Sequence, residues 1–155
     1  MDCYRYMENS ELETQIMKAL LTGNDPVLNT LREQFYNSKI VKREFTGCGF
    51  FIHFSVLESC KKVNPQNFVI DDVYLEVEGA ENGASAMLFI REGIIDFLEV
   101  VTCTGNWPGN PILKSLNYFT KKPRADSVAE LVPSKERDIK VTKLAWTKMK
   151  KQGKL

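Results

Sequence analysis

The chain predicts an α+β fold in which two N-terminal helices pack on an antiparallel meander sheet of about five to six strands, followed by a basic C-terminal helical tail. Two observations predict the fold class, and a third marks off the basic tail. Apolar residues recur at helical spacing through residues 12–35, then with a period of two from residue 39 to residue 104. Short turn signals separate several of the period-two runs, which joins those strands as hairpins. The charge also changes sign along the chain. Residues 1–110 carry 9 Lys+Arg against 16 Asp+Glu, net −7, and residues 111–155 carry 12 against 4, net +8.

The elements follow in order. Ser10-Glu11-Leu12-Glu13 reads as a capping box, with Ser10 accepting from the third backbone N–H and Glu13 reaching back. Leu12, Ile16, Ala19 and Leu20 then share one helix face, and Gly23 stops the helix. Asp25-Pro26 starts a second helix, with Asp25 as N-cap and Pro26 at the first helical position, where its missing N–H costs nothing. Leu28, Leu31 and Phe35 form its apolar face, and Asn37-Ser38 ends it.

From Lys39 the reading is strands. Val41 and Phe45 are expected on one side of the first. Phe50, Ile52, Phe54 and Val56 share one side of the second, leaving Phe51, His53 and Ser55 opposite. After a loop at Asn64-Pro65, residues 69–78 form a third strand, Glu81-Asn82-Gly83 a turn, and residues 84–91 a fourth. Glu92-Gly93 is a tight turn into a fifth strand over residues 94–104. Residues 112–119 add an edge strand. Lys121-Lys122-Pro123-Arg124 reads as a linker, and Ser134 as the cap of a last helix with Val141, Leu144, Ala145 and Met149 on one face. The expected division is therefore an acidic α+β domain over residues 1–120 and a basic linker and helix over residues 121–155.

Composition bounds the function. A chain of 155 residues is long enough to bury roughly two-thirds of its unfolded surface as one domain. Residues 1–13 include acids and no long apolar core, and the longest apolar runs are strand-length, so neither a secretory leader nor a membrane span is expected. Cys3, Cys48, Cys60 and Cys103 show no CxxC or metal-type spacing and read as reduced thiols of a cytoplasmic protein. No cofactor or metal is expected. The basic tail lacks a recognisable nucleic-acid reader motif, so nucleic acid is not the expected partner.

Catalytic parts are scarce. His53 is the one histidine. Cys48 lies five residues before it, which in a strand sends the two to opposite faces, and Cys60 or Cys103 could meet His53 only through the tertiary fold. Asp71 and Asp72 also point apart. Asp72, Glu76 and Glu78 share a face with nothing between them to separate their pKa values, as paired acid–base carboxylates require. Gly47-Cys48-Gly49 is followed by a strand, not a helix N-terminus, so it reads as a bulge or hairpin turn and not as a phosphate loop. A small hydrolase using exposed carboxylates or a Cys/His pair is the alternative to a binding role.

The third strand carries the candidate site. Val73, Leu75 and Val77 are expected to face the core, and Asp72, Tyr74, Glu76 and Glu78 to face out, three carboxylates around an aromatic. Tyrosine suits interfaces because it joins apolar area to a polar tip. An acidic face with such an anchor fits a basic protein partner, whose approach long-range charge would accelerate.

The blocks Asp25-Pro26-Val27-Leu28, Leu31-Arg32-Glu33-Gln34-Phe35 and Arg43-Glu44-Phe45-Thr46-Gly47-Cys48-Gly49-Phe50-Phe51, with Gly83-Ala84, Leu88-Phe89-Ile90, Gly93, Asp96-Phe97-Leu98-Glu99 and Trp107-Pro108, form an ordered pattern over about residues 24–110. In it the chain resembles a family of small uncharacterised bacterial proteins, similar in type to immunity or accessory proteins beside toxin genes. The resemblance implies a non-enzymatic, protein-binding role with a toxin as partner. Cys48 and His53 stand where such proteins tend to have an aliphatic and a small polar residue, and the basic tail lies outside the pattern.

Overall fold

In the computed structural model, which describes residues 10–122 and 130–151, one antiparallel sheet carries its helices on a single face. The elements run α1 (Glu11–Leu20), α2 (Pro26–Tyr36), β1 (Lys39–Phe45), β2 (Gly49–Ser55), β3 (Phe68–Glu78), β4 (Ala84–Arg91), β5 (Ile94–Thr102), β6 (Ile112–Lys122), β7 (Glu130–Ser134) and α3 (Ile139–Lys151). The class is α+β, with seven strands among the described residues and a third helix that packs on the sheet.

Local sequence explains the helix starts. Ser10 Oγ accepts from the Glu13 N–H at 3.2 Å, and the Asp25 carboxylate accepts from Val27 and Leu28 at 2.9 and 3.3 Å. Burial works against the Asp25 charge, but Lys143, 2.5 Å away on α3, and the two N–H groups outweigh it and hold the carboxyl below its ordinary range. The second half of the capping box is used differently. Glu13 is buried and forks with Arg43 of β1 at 2.9 and 3.1 Å, tying helix to sheet.

Strand order is β1-β2-β5-β4-β3-β6-β7, so the sheet is not a plain meander. Residues 56–67 carry the chain from β2 across to β3, and the β3-β4-β5 hairpins bring it back beside β2. Gln34 of α2, 2% exposed, pins this crossing. Its amide donates to Lys61 O and Gly93 O at 2.8 and 3.0 Å and accepts from Ile95 N at 2.9 Å.

Alternation places Phe50, Ile52 and Phe54 with Val73, Leu75 and Val77 in one core, against Leu28 and Leu31 of α2 and Ile16, Met17 and Leu20 of α1. Register shifts break the simple pattern, and those in β1 and β3 bear on the sequence reading. The register of β1 shifts between Ile40 and Lys42, so the extra residue Val41 is exposed and breaks the alternation expected to join it to Phe45, while Ile40 opposite Phe54 is buried and Phe45, also exposed, pairs with Phe50. In β3, the three steps from Ile70 to Val73 oppose the two steps from Leu88 to Ala86. Ile70 and Val73 therefore both face the core, and the chain between them is reset.

The C-terminal third also corrects the sequence reading. The boundary expected at residue 120 falls inside β6, which pairs with β3 on one side and β7 on the other. Ser134 ends β7, and α3 is started instead by Asp138, whose carboxylate accepts from Val141 N at 3.1 Å. The buried side of α3 is Thr142 and Trp146, whereas Leu144 is 60% exposed. Trp146, 1% exposed, stacks on Phe68 at 4.7 Å and belongs to the main core. Met149 and the segment 123–124 lie outside the residues whose side chains are described.

Candidate binding face

Among the described residues no helix packs on the other face of the sheet, which carries the outward side chains of the strands. Of the four carried by β3 in the sequence reading, Tyr74, Glu76 and Glu78 lie there, Tyr74 partly exposed and the two glutamates exposed. Asp72 does not. The bulge turns it to the helix side, where it is 9% exposed and pairs with Arg137 at 2.6 Å. Asp71, in contrast, is exposed.

Tyr74 is firmly placed. Its hydroxyl donates to Asn82 O at 2.9 Å, and its ring lies 5.3 Å from that of Phe119 on β6. A Cβ at Gly83, where φ is +72°, would come 2.3 Å from the hydroxyl, so this turn requires glycine twice over. Burial, with Cys103 and Glu76 nearby, raises the phenol pKa and keeps it a donor. Beside it opens a depression of about 530 Å³ lined by Tyr74, Glu76, Glu78, Glu81 and Lys114. It is a shallow acidic corner.

The centre of the same face is aromatic, and the sequence reading did not single it out. Phe89 of β4 stacks on Phe97 of β5 at 4.2 Å and 15°, and Phe51 and His53 of β2 approach Phe97 at 5.9 and 5.7 Å. The Arg91 guanidinium lies 5.4 Å from the centre of the Phe97 ring and 3.5 Å from Asp96. Glu99 sits within this group, opposite Phe51 on one side and Met87 on the other. The signal was available in part: the Glu92-Gly93 turn joins the strands carrying Phe89 and Phe97. The pairing of β2 with β5 was not, because it depends on the crossing.

Burial pushes the Glu99 carboxyl above its ordinary value of 4.5. With the native pKa raised above the unfolded one, stability is fully present below the unfolded value and is lost as pH rises through the native one. Glu99→Gln removes that loss. The variant should melt above the parent at pH 7, and the gap should close in melts near pH 4. A gap that widens on acidification would contradict the placement of Glu99.

The nucleophile reading finds its parts dispersed. Cys48, Cys60 and Cys103 are free thiols. Cys48 is exposed in the β1–β2 turn, 3.7 Å from Thr46 Oγ1, and Cys60 lines a cleft with Thr30 and Gln34 on the helix side. His53 instead meets Phe51, Phe97 and, at 3.6 Å, Glu44, which is itself held below its ordinary range by Lys42. Among the described residues no contact joins His53 to a cysteine. The Gly47–Gly49 segment is the β1–β2 hairpin turn, and a Cβ at Gly49 would come 1.9 Å from Val100 O. Among the described residues no three His, Cys, Asp or Glu side chains are grouped to hold a metal ion, and no helix is long and apolar enough to cross a membrane.

No family model, curated protein or solved structure matches the chain. The functional reading therefore rests on the face itself.

Proposed function

We propose that this chain is a non-enzymatic, cytoplasmic protein-binding module, an immunity-type protein that neutralises a basic toxin at the acidic corner of its helix-free face. One observation carries the reading: Tyr74 stands rigidly at the edge of an open depression whose charged lining is Glu76, Glu78 and Glu81 with a single lysine, Lys114. A positioned aromatic beside same-sign charges suits a broad protein contact with a basic surface. Asp25 and Asp72 take no part, since Lys143 and Arg137 already neutralise them within the chain.

The test begins with a pull-down from the native cell, using Glu76→Lys/Glu78→Lys as control. With the recovered partner in hand, the double variant should slow association about tenfold at low salt, with little change in dissociation, because rim charges act on encounter. The difference should shrink as salt is added. Equal recovery of the partner by both proteins, or equal association rates, would overturn the proposal.

A further inference from the structure

The aromatic centre of the helix-free face has its own chemistry, distinct from the acidic corner on β3. Glu99 projects from β5 between Phe51 and Met87 on the adjoining strands, with Phe97 and Val101 as its same-face neighbours along β5. All five side chains are partly exposed. Among the described residues no hydrogen bond or ion pair engages the Glu99 carboxylate. Nearby cations are committed elsewhere, Lys42 to Glu44 at 2.6 Å and Arg91 to Asp96 and the Phe97 ring. An acid held among apolar groups at a cost to its own ionised form has the charge complementary to a cation that arrives within an apolar surface.

The shape and rim are those of a protein interface. Neighbouring strands stand about 4.8 Å apart, so β2, β5 and β4 present a pleated apolar strip roughly 10 Å across. Lys42, Glu44, Arg91 and Asp96 border it. An apolar centre within a charged rim is the usual plan of a docking surface. Arg91 already shows what these rings accept, since its guanidinium packs over Phe97. Arginine fits such a place better than lysine because its planar fork stacks on rings, pairs with a carboxylate and sheds water more readily.

We propose that the β2–β5–β4 part of the helix-free face docks a segment of a partner protein that presents one arginine among apolar side chains. The guanidinium pairs with the Glu99 carboxylate and lies against the rings of Phe51 and Phe97. The inference rests on the reading of this chain as a protein-binding module, and adds a second contact area to the acidic corner.

The experiment titrates the isotopically labelled full chain with the blocked peptide acetyl-Leu-Arg-Leu-amide and follows backbone amide shifts. Saturating shifts centred on Phe51, Met87, Phe97 and Glu99 are expected. Affinity should fall about tenfold in Glu99→Gln, and binding should vanish when the probe's arginine is replaced by glutamine. Phe97→Leu, which keeps an apolar contact but removes the ring, should weaken binding also. Shifts centred on Tyr74, Glu76 and Glu78 would overturn this inference while leaving the acidic corner as the binding site. An absence of shifts, or undiminished binding by both variants, would overturn it outright, and the pull-down with the acidic-corner variant would still decide the broader reading.

Discussion

Replacing Asp72 with alanine is expected to destabilise the protein by about 3–5 kcal/mol, the cost of leaving a buried arginine without its counterion. Arg137 meets Asp72 in a two-pronged pair, Nη2 to Oδ1 at 2.6 Å and Nε to Oδ2 at 2.8 Å, with only 4% and 10% of the two side chains exposed. The remaining nitrogen, Nη1, donates to the carbonyls of Ala19, Leu20 and Thr22, at 3.3, 2.8 and 2.8 Å. These groups lie at the end of α1, where a helix leaves its last carbonyls without internal partners. The Thr142 hydroxyl reaches Oδ2 at 3.1 Å, and the guanidinium covers the Tyr118 ring at 5.0 Å. One carboxylate thus orients an arginine that joins α1, β3, β6 and the start of α3. Asp72→Asn keeps the shape and one acceptor but loses the charge, and should cost less, about 1.5–3 kcal/mol. Urea unfolding of the two variants gives both numbers. A loss under about 1 kcal/mol for Asp72→Ala is what an exposed carboxylate would show, and would contradict its burial.

The same residue marks where sequence reasoning reaches its limit. Strict alternation through β3 puts Asp72 outside with Tyr74, Glu76 and Glu78, and it assigns Val73, Leu75 and Val77 correctly because they lie beyond the bulge. Nothing local announces the extra residue at Asp71–Asp72. The partner that Asp72 meets on the helix side, Arg137, is 65 residues away. Helix starts were legible because Ser10 and Asp25 act within three residues of themselves. The β4–β5 hairpin was legible from Glu92-Gly93, a turn that gives Glu92 a φ of +53° and Gly93 a φ of +81°. The pairing of β2 with β5 was not, since it requires Gln34, the crossing loop and the hairpin to meet. The charge split is in part internal. Arg137 and Lys143 of the basic C-terminal third neutralise Asp72 and Asp25 of the acidic body. The glutamates of the acidic corner and Glu99 are not among the acids neutralised in this way.

Truncation after residue 120 should have the largest effect of all: the shortened chain should lose its cooperative thermal transition. The cut passes through β6 and removes β7 and α3. It strips the indole from Phe68, exposing a core side chain that is otherwise 0% accessible. Trp146→Ala alone should cost about 3–5 kcal/mol as a large cavity. The truncation adds the loss of Arg137, which leaves Asp72 without its cation and the end of α1 without three donated hydrogen bonds. The core and ion-pair losses together are of the same order as the about 5–15 kcal/mol that holds a domain folded, and the broken β6 and the lost β7 add to them. Near-UV circular dichroism should flatten, and a dye that binds exposed apolar surface should fluoresce, while some far-UV signal persists. A shortened chain that melts cooperatively within a few degrees of the parent would show that residues 121–155 are an appendage. Trp146→Ala, with the chain otherwise complete, separates the two accounts: a melting point unchanged in that variant would place the indole outside the core, whereas a marked fall would show that the C-terminal helix helps close the fold.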